Sequence, residues 1–242
     1  MAGLFSNRHA FNLVASSYDL LTQQEIWARQ SCKVLAYVPS ETTVRRVLDI
    51  GCGPGGSTFA LAAAVSKGTE VIGVDYAGEM IRRARRHQAK HYAQFEHLQF
   101  QEGDATQLPF DDDSFDLIVG HSFLYLVQQP QAVLQELRRV LHPSGTLVFM
   151  EPHEGGTLRA AVRARFGLEE ETKRFTLQTL RFWTSMVTWR WVSTAEGRWQ
   201  NDTLVALFNA SGFEHVSIYS TLGGLGVHCV ATPGTMEPEI VR

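Results

Sequence analysis

The chain has 242 residues, 44% hydrophobic and 19% charged, with a net charge of −3 at pH 7. That is enough for one α/β domain with its own core, and the weak acidity gives no general pull toward nucleic acid or an anionic membrane. No apolar run approaches membrane-spanning length, and "MAGLFSNRHAFNLV" lacks the basic-then-apolar form of a signal peptide. Cys32, Cys52 and Cys229 show neither metal spacing nor an even disulfide framework. A cytoplasmic protein in a reducing compartment is expected, without stable membrane insertion.

Residues 8–37 place Leu13, Val14, Tyr18, Leu21, Ile26 and Val34 at helical spacing, and "VPSETT" ends them. "VRRVLDI" is a β-branched run that enters glycines, as a buried strand entering a turn does. "STFALAAAVSKG" follows as a helix with Gly68 near its stop. "EVIGVD" is a second strand, "GEMIRRARRHQAKHY" a helix, "LQFQEGD" a third strand and "FDLIVG" a fourth. "PQAVLQELRRVL" is a helix stopped by "HPSG", and "TLVFME" is the fifth strand. Residues 157–200 read as aromatic-rich and irregular. "NDTLVALFNASGF" is a helix capped by Asn201 or Asp202, and "EHVSIYS" with "GVHCVATP" forms a closing antiparallel hairpin.

Strands alternating with helices at short spacing predict an α/β, Rossmann-like, doubly wound and mostly parallel sheet. Ligands of such sheets bind beyond the carboxyl ends of the strands, near the switch in strand order. Gly51, Gly53, Asp75, Asp104, His121 and Glu151 all fall there.

Two cofactors compete for "DIGCGPGG". Gly51, Gly53 and Gly56 fit G-x-G-x-x-G, and Asp75 stands where a dinucleotide ribose acid should. Asp49 opposes that reading, because a buried carboxylate before the first glycine would face two phosphates. A ligand with a cationic amino group removes the conflict. S-adenosylmethionine offers an ammonium for Asp49, a methionine part for the glycine loop, a ribose diol for Asp75 and an adenine for "GDA", Gly103 to Ala105.

"VLDIGCGPGGST", "VIGVDYAGEM", "EGDATQLPFDDDSFDLIV" and "LRRVLHPSGTLVFMEP" resemble, in this order, the class I S-adenosylmethionine-dependent methyltransferases. The similarity is to the ubiquinone/menaquinone-biosynthesis-like type 11 group and is dense over residues 44–152. "FNLVASSYDLL" resembles that group's entry helix, with Tyr18 at the position that approaches the cofactor and acceptor. The resemblance implies that Asp49, Gly51, Cys52 and Gly53 hold the methionine end and Asp75 the ribose. It implies Tyr76 and Met80 beside the adenine, and Gly103, Asp104 and Ala105 at its edge. "GHSFLYL" departs from the group's pattern, with His121 near the sulfonium and Tyr125 in a later histidine's place. It also implies a single methyltransferase domain. The parts are an N-terminal helical cover (1–43), a cofactor core (44–156), a substrate cap (157–200), the end of the sheet (201–233) and a tail (234–242).

Methyl transfer from a sulfonium is an in-line displacement whose leaving group is already activated, so the protein mainly aligns and excludes water. A base is needed only for a nucleophile with a high pKa. His121, His153 and Tyr125 are the candidates, with Glu151 also near the strand ends. Phe182, Trp183, Met186 and Trp189, in a segment also holding Phe166, Phe175 and Trp191, suggest a lipophilic or aromatic small-molecule acceptor, or else packing of the cap. "EPHE" lacks a recognised metal spacing, so no metal is expected. His228 reads as a packed histidine, Asp111 to Asp113 as a solvated turn, and Arg82, Arg85, Arg86 and Lys90 as a solvent-facing helix side. A nicotinamide-dependent oxidoreductase and a non-catalytic binder with a methyltransferase-like fold are the alternatives.

Overall fold

β1 (Arg46–Ile50) is buried at every position after Arg46, and β2 (Glu70–Asp75) from Val71 to Val74. A strand apolar on both faces must be covered on both, which places it inside a parallel sheet. The computed structural model describes residues 31–157 and 177–234, except the side chains of residues 177–179, 181, 182 and 196. Tyr18, Phe166 and Phe175, and the side chain of Phe182, therefore lie outside the described residues.

After β1 come α1 (Gly56–Ala64), β2, α2 (Gly78–His91), β3 (Leu98–Glu102) and β4 (Phe115–His121). A 3-10 turn (Leu124–Leu126), α3 (Pro130–Val140) and β5 (Leu141–Pro152) come next. The described chain closes with α4 (Leu177–Glu196), α5 (Asn201–Ala210), β6 (His215–Thr221) and β7 (Gly226–Thr232). The described strands make one seven-stranded sheet in the order β3-β2-β1-β4-β5-β7-β6. β1 to β5 pair in parallel, while β7 pairs antiparallel with both β5 and β6. The expected α/β class and antiparallel edge hairpin are what the sheet contains.

Each face carries its own core. Phe59, Leu61, Ile81 and Ala84 from α1 and α2, with Val34, pack on Val47, Leu117, Val119 and Val148. On the other face Val133, Leu134, Leu137, Leu204 and Phe208 from α3 and α5 pack on Leu48, Ile118, Phe149 and Cys229. Alternation along each strand assigns these faces. Phe149 is fully buried and meets Phe123 and Phe208 edge to face, both with centroids 6.2 Å apart. A Cβ on Gly120 would come within 2.6 Å of that ring, so the fourth strand needs glycine beside it.

Three local expectations change. β5 begins at Leu141 and runs through "HPSG", with a register shift against β4 between Phe115 and Leu117. The shift lets His142, Pro143 and Ser144 stay exposed at the strand's start while its pairing resumes at Thr146. Residues 177–196 form one 20-residue helix rather than an irregular stretch. α5 takes Gln200 as its N-cap, with no side-chain cap bond, so neither Asn201 nor Asp202 plays that part. Among the described residues, no helix is long and apolar enough to cross a membrane.

Candidate active site

The strand order reverses between β1 and β4, and it is beyond the carboxyl ends at such a switch that ligands of these sheets bind. The loop from β1 to α1 begins there. Gly51, Gly53 and Gly55 have φ of +69°, +54° and +94°, a region that penalises any Cβ. Space matters too: a Cβ on Gly51 would lie 2.4 Å from the Phe123 ring, and one on Gly55 2.8 Å from Phe100 and Phe59. Part of the glycine signature therefore answers to aromatic packing. The N–H groups of Gly51 and Cys52 donate to the Val74 carbonyl at 2.8 and 3.1 Å, which ties the loop to β2.

Asp49 is completely buried beneath this loop. Its Oδ2 accepts the hydroxyls of Ser57 (2.6 Å) and Thr58 (2.7 Å). Its Oδ1 is buried and has no partner. Burial pushes the carboxyl up to about 6, against the pull of the two hydroxyls. An orphaned buried acceptor asks for a donor, and a cationic one restores its charge. The ammonium of S-adenosylmethionine is such a donor, whereas a diphosphate would add to the unmet negative charge.

Asp75 ends β2, where its Oδ2 accepts the Gly53 N–H (2.9 Å) and its Oδ1 the Ala77 N–H (2.8 Å). Desolvation raises its carboxyl, and those N–H groups of Ala77 and Gly53 oppose the rise. Each oxygen thus already has one donor, and a ribose diol would take the remaining lone pairs. Gly103 donates to the Asp75 carbonyl at 3.1 Å, which ties the end of β2 to the residue after β3. Asp104 is exposed, with Oδ1 held by the N–H and hydroxyl of Thr106, and Ala105 is buried next to it. Tyr76 is exposed and Met80 buried, so the two expected adenine neighbours stand in different surroundings.

His121 is the last residue of β4 and shares its sheet face with Asp49, one strand across. Both ring nitrogens are buried without a hydrogen-bond partner. Burial, helped by the nearby His228, pushes the imidazole down to about 3, so the ring is neutral at physiological pH. His228 itself is buried and bonded through Nδ1 to the Tyr37 hydroxyl at 2.9 Å, a packed histidine as expected.

After His121 the chain turns sharply at Ser122, whose φ is +52°. Glu151, fully buried at the end of β5, holds the three residues beyond that turn. Its Oε1 accepts the N–H groups of Phe123 (3.0 Å) and Leu124 (2.8 Å), and its Oε2 that of Tyr125 (3.2 Å). With those donors on it, Glu151 is a clamp and not a free base. Burial nevertheless raises its carboxyl to about 7. His153 accepts the Gly155 N–H on Nδ1 at 3.0 Å and so braces its own turn. α4 crosses these strand ends. The Trp189 indole donates to Ser122 Oγ at 2.8 Å, and Arg190 donates to the carbonyls of His153 (2.9 Å) and Gly156 (3.0 Å). Met186 is buried, Trp183 half-buried and Trp191 exposed.

Ser122, Phe123 and Arg190 escape sequence reasoning, because their roles come from contacts across the fold. The one signal was a glutamate at the end of an apolar strand. Among the described residues, no group of three or more His, Cys, Asp and Glu side chains could hold a metal ion.

A sheet of this order, with an acidic glycine-rich loop at its switch and an antiparallel hairpin at its edge, defines the Rossmann-like methyltransferase class. The methyltransferase domain family matches residues 42–202, and the chain belongs to that family. It is 37% identical over 147 residues to a demethylmenaquinone methyltransferase of Clavibacter sepedonicus, a match over 58% of this chain and 56% of that protein. It is 33% identical over 165 residues to a 2-phytyl-1,4-naphtoquinone methyltransferase of Synechocystis, over 64% of this chain and 66% of that one. The matched region thus spans less than two thirds of either relative. In fold it is similar to a SAM-dependent methyltransferase from Aquifex aeolicus, with a TM-score of 0.63 and 17% identity over 90% of this chain and 97% of the other.

Proposed function

We propose that this protein transfers the methyl group of S-adenosylmethionine to a small lipophilic aromatic acceptor, leaving S-adenosylhomocysteine. The observation that carries the cofactor is the orphaned Oδ1 of Asp49 beneath the glycine loop. The names of the Clavibacter and Synechocystis relatives support a quinol-type acceptor.

The bound sulfonium supplies an electrophilic methyl and a neutral leaving group, so the chain's own task is to bind, align and exclude water. Asp49 takes the ammonium while Gly51, Cys52 and Gly53 shape the methionine end. Asp75 takes the ribose hydroxyls. Tyr76 and Met80 flank the adenine, whose edge meets Gly103, Asp104 and Ala105. His121, neutral, accepts a hydrogen bond from the acceptor's hydroxyl without repelling a nearby cation. Its low basicity makes it an orienting group before it is a base. Tyr125 and His153 are the further candidates for proton handling. Trp183 and Trp189 wall the acceptor side with Met186 behind them, and residues 157–200 select the acceptor, with Phe182 and Tyr18 the remaining candidates there.

Calorimetric titration with S-adenosylhomocysteine, and in parallel with NADH, tests this on the wild type and on Asp75→Ala. Binding of the adenosyl ligand that the substitution weakens at least tenfold is expected. Binding of NADH instead would transfer the site to an oxidoreductase. Binding of neither favours a non-catalytic fold relative.

A further inference from the structure

We propose that Glu151 is a positioning residue for methyl transfer, setting the cofactor loop and the helix over the acceptor side from one buried carboxylate. The proposal rests on the methyltransferase function proposed for this chain.

Four consecutive backbone N–H groups, from Ser122 to Tyr125, end on two adjacent residues of β5. Ser122 donates to the Met150 carbonyl at 2.7 Å, and the next three donate to Glu151. This capture holds a left-handed turn that a serine does not adopt readily. Both outer contacts of the segment then reach functional ground. The Phe123 ring stands where a Cβ of Gly51 would be, so it sits directly on the cofactor loop. The Ser122 hydroxyl holds the indole of Trp189 on α4. Phe123 also leans edge to face on Phe149 behind it, which limits its retreat.

The residue type fits the task. A carboxylate is acceptor-only with two oxygens, and it receives three donors here. Glutamine offers one acceptor oxygen, and its amide N–H₂ would face at least one of these N–H groups. Packing alone does not explain the choice, because burying a carboxylate is costly and an apolar residue would end the strand without that cost. The carboxylate belongs where loop geometry matters more than stability. It acts through Phe123 and Ser122, and its oxygens already have partners, so it is no proton acceptor for the substrate.

The test uses Glu151→Gln and Phe123→Leu in the full chain, labelled with nitrogen-15 so that indole N–H signals are seen, with Trp189→Phe assigning the Trp189 signal. S-adenosylhomocysteine is the calorimetric probe. Glu151→Gln is expected to bind it about tenfold more weakly, a loss of about 1.4 kcal/mol, and to shift the Trp189 signal in the free protein. Phe123→Leu should reproduce the weaker binding and leave the Trp189 signal in place, since it changes the contacts with Gly51 and Phe149 but not the Ser122 hydroxyl that holds the indole. A folded Glu151→Gln protein with wild-type affinity and an unmoved Trp189 signal overturns the proposal. Should that variant not fold, wild-type affinity in Phe123→Leu overturns it equally. No binding by the wild type itself would remove the methyltransferase function, and the proposal with it.

Discussion

Asp49 shows how one atom separates two cofactors. Its Oδ2 is satisfied by Ser57 and Thr58, and its Oδ1 is left bare in the interior. Asn in its place keeps an oxygen for those hydroxyls and removes the charge. Asp49→Asn should therefore weaken S-adenosylhomocysteine binding by about tenfold or more, since a hydrogen bond to a charged group contributes about 1.5–3 kcal/mol. Calorimetry on the variant decides it, and unchanged affinity would detach Asp49 from the ligand. His121 is the matching case for the acceptor. Its two ring nitrogens are buried without a partner, and burial keeps the ring neutral, which suits the orienting role proposed for it. Asp49, Asp75 and the glycines were legible in the sequence because their chemistry is local. Glu151 was visible only as an acid near the site, because its three partners lie 26 to 28 residues away.

Among the elements, the strands and the helices between them were legible along the chain, as was the closing hairpin, since burial on both faces leaves a sequence pattern, whereas the strand order within the sheet was not. Nor was α4. Its residues are apolar and polar on every side, so no single stripe announces a helix, and Leu180, Val187 and Trp191 remain exposed. Beside the buried Met186, it is held by a short set of polar anchors, from Trp189 and Arg190 to the chain just beyond β4 and β5. Arg190→Ala removes two of these bonds and touches no core residue. It should increase proteolytic cleavage within or beside 177–196 with little change in melting temperature, and equal cleavage in variant and wild type would show that the anchors are idle. Phe149→Ala addresses the other kind of support. It opens the layer between Phe123 and Phe208 and should lower the unfolding free energy by about 3–5 kcal/mol in urea titration.

The whole molecule carries two opposed sets of buried titrating groups. His121 and His228 are pushed down to about 3 and about 4 by burial, so the unfolded chain binds their protons more readily. Their contribution to stability is present above about pH 6.5 and is lost as pH falls through about 4 for His228 and about 3 for His121. Asp49 and Glu151, raised to about 6 and about 7, act the other way. Their contribution is present below about pH 4 and is lost as pH rises through those values. Between pH 4 and 6 the slopes offset each other. Asp49→Asn removes one term, so unfolding free energy should fall more steeply on acidification than in the wild type, by about 1.4 kcal/mol per pH unit. Denaturant titrations at pH 4, 5 and 6 measure it, and parallel slopes would refute it. By itself the sequence determined the α/β class, the closing antiparallel hairpin and the acid-and-glycine loop, because periodicity, turn chemistry and short motifs are properties of neighbouring residues. Only the tertiary structure decided that Phe123 sits on Gly51, that Trp189 holds Ser122, and that Glu151 gathers the segment between them. Those contacts join residues distant in the chain, and no local preference encodes which of them meet.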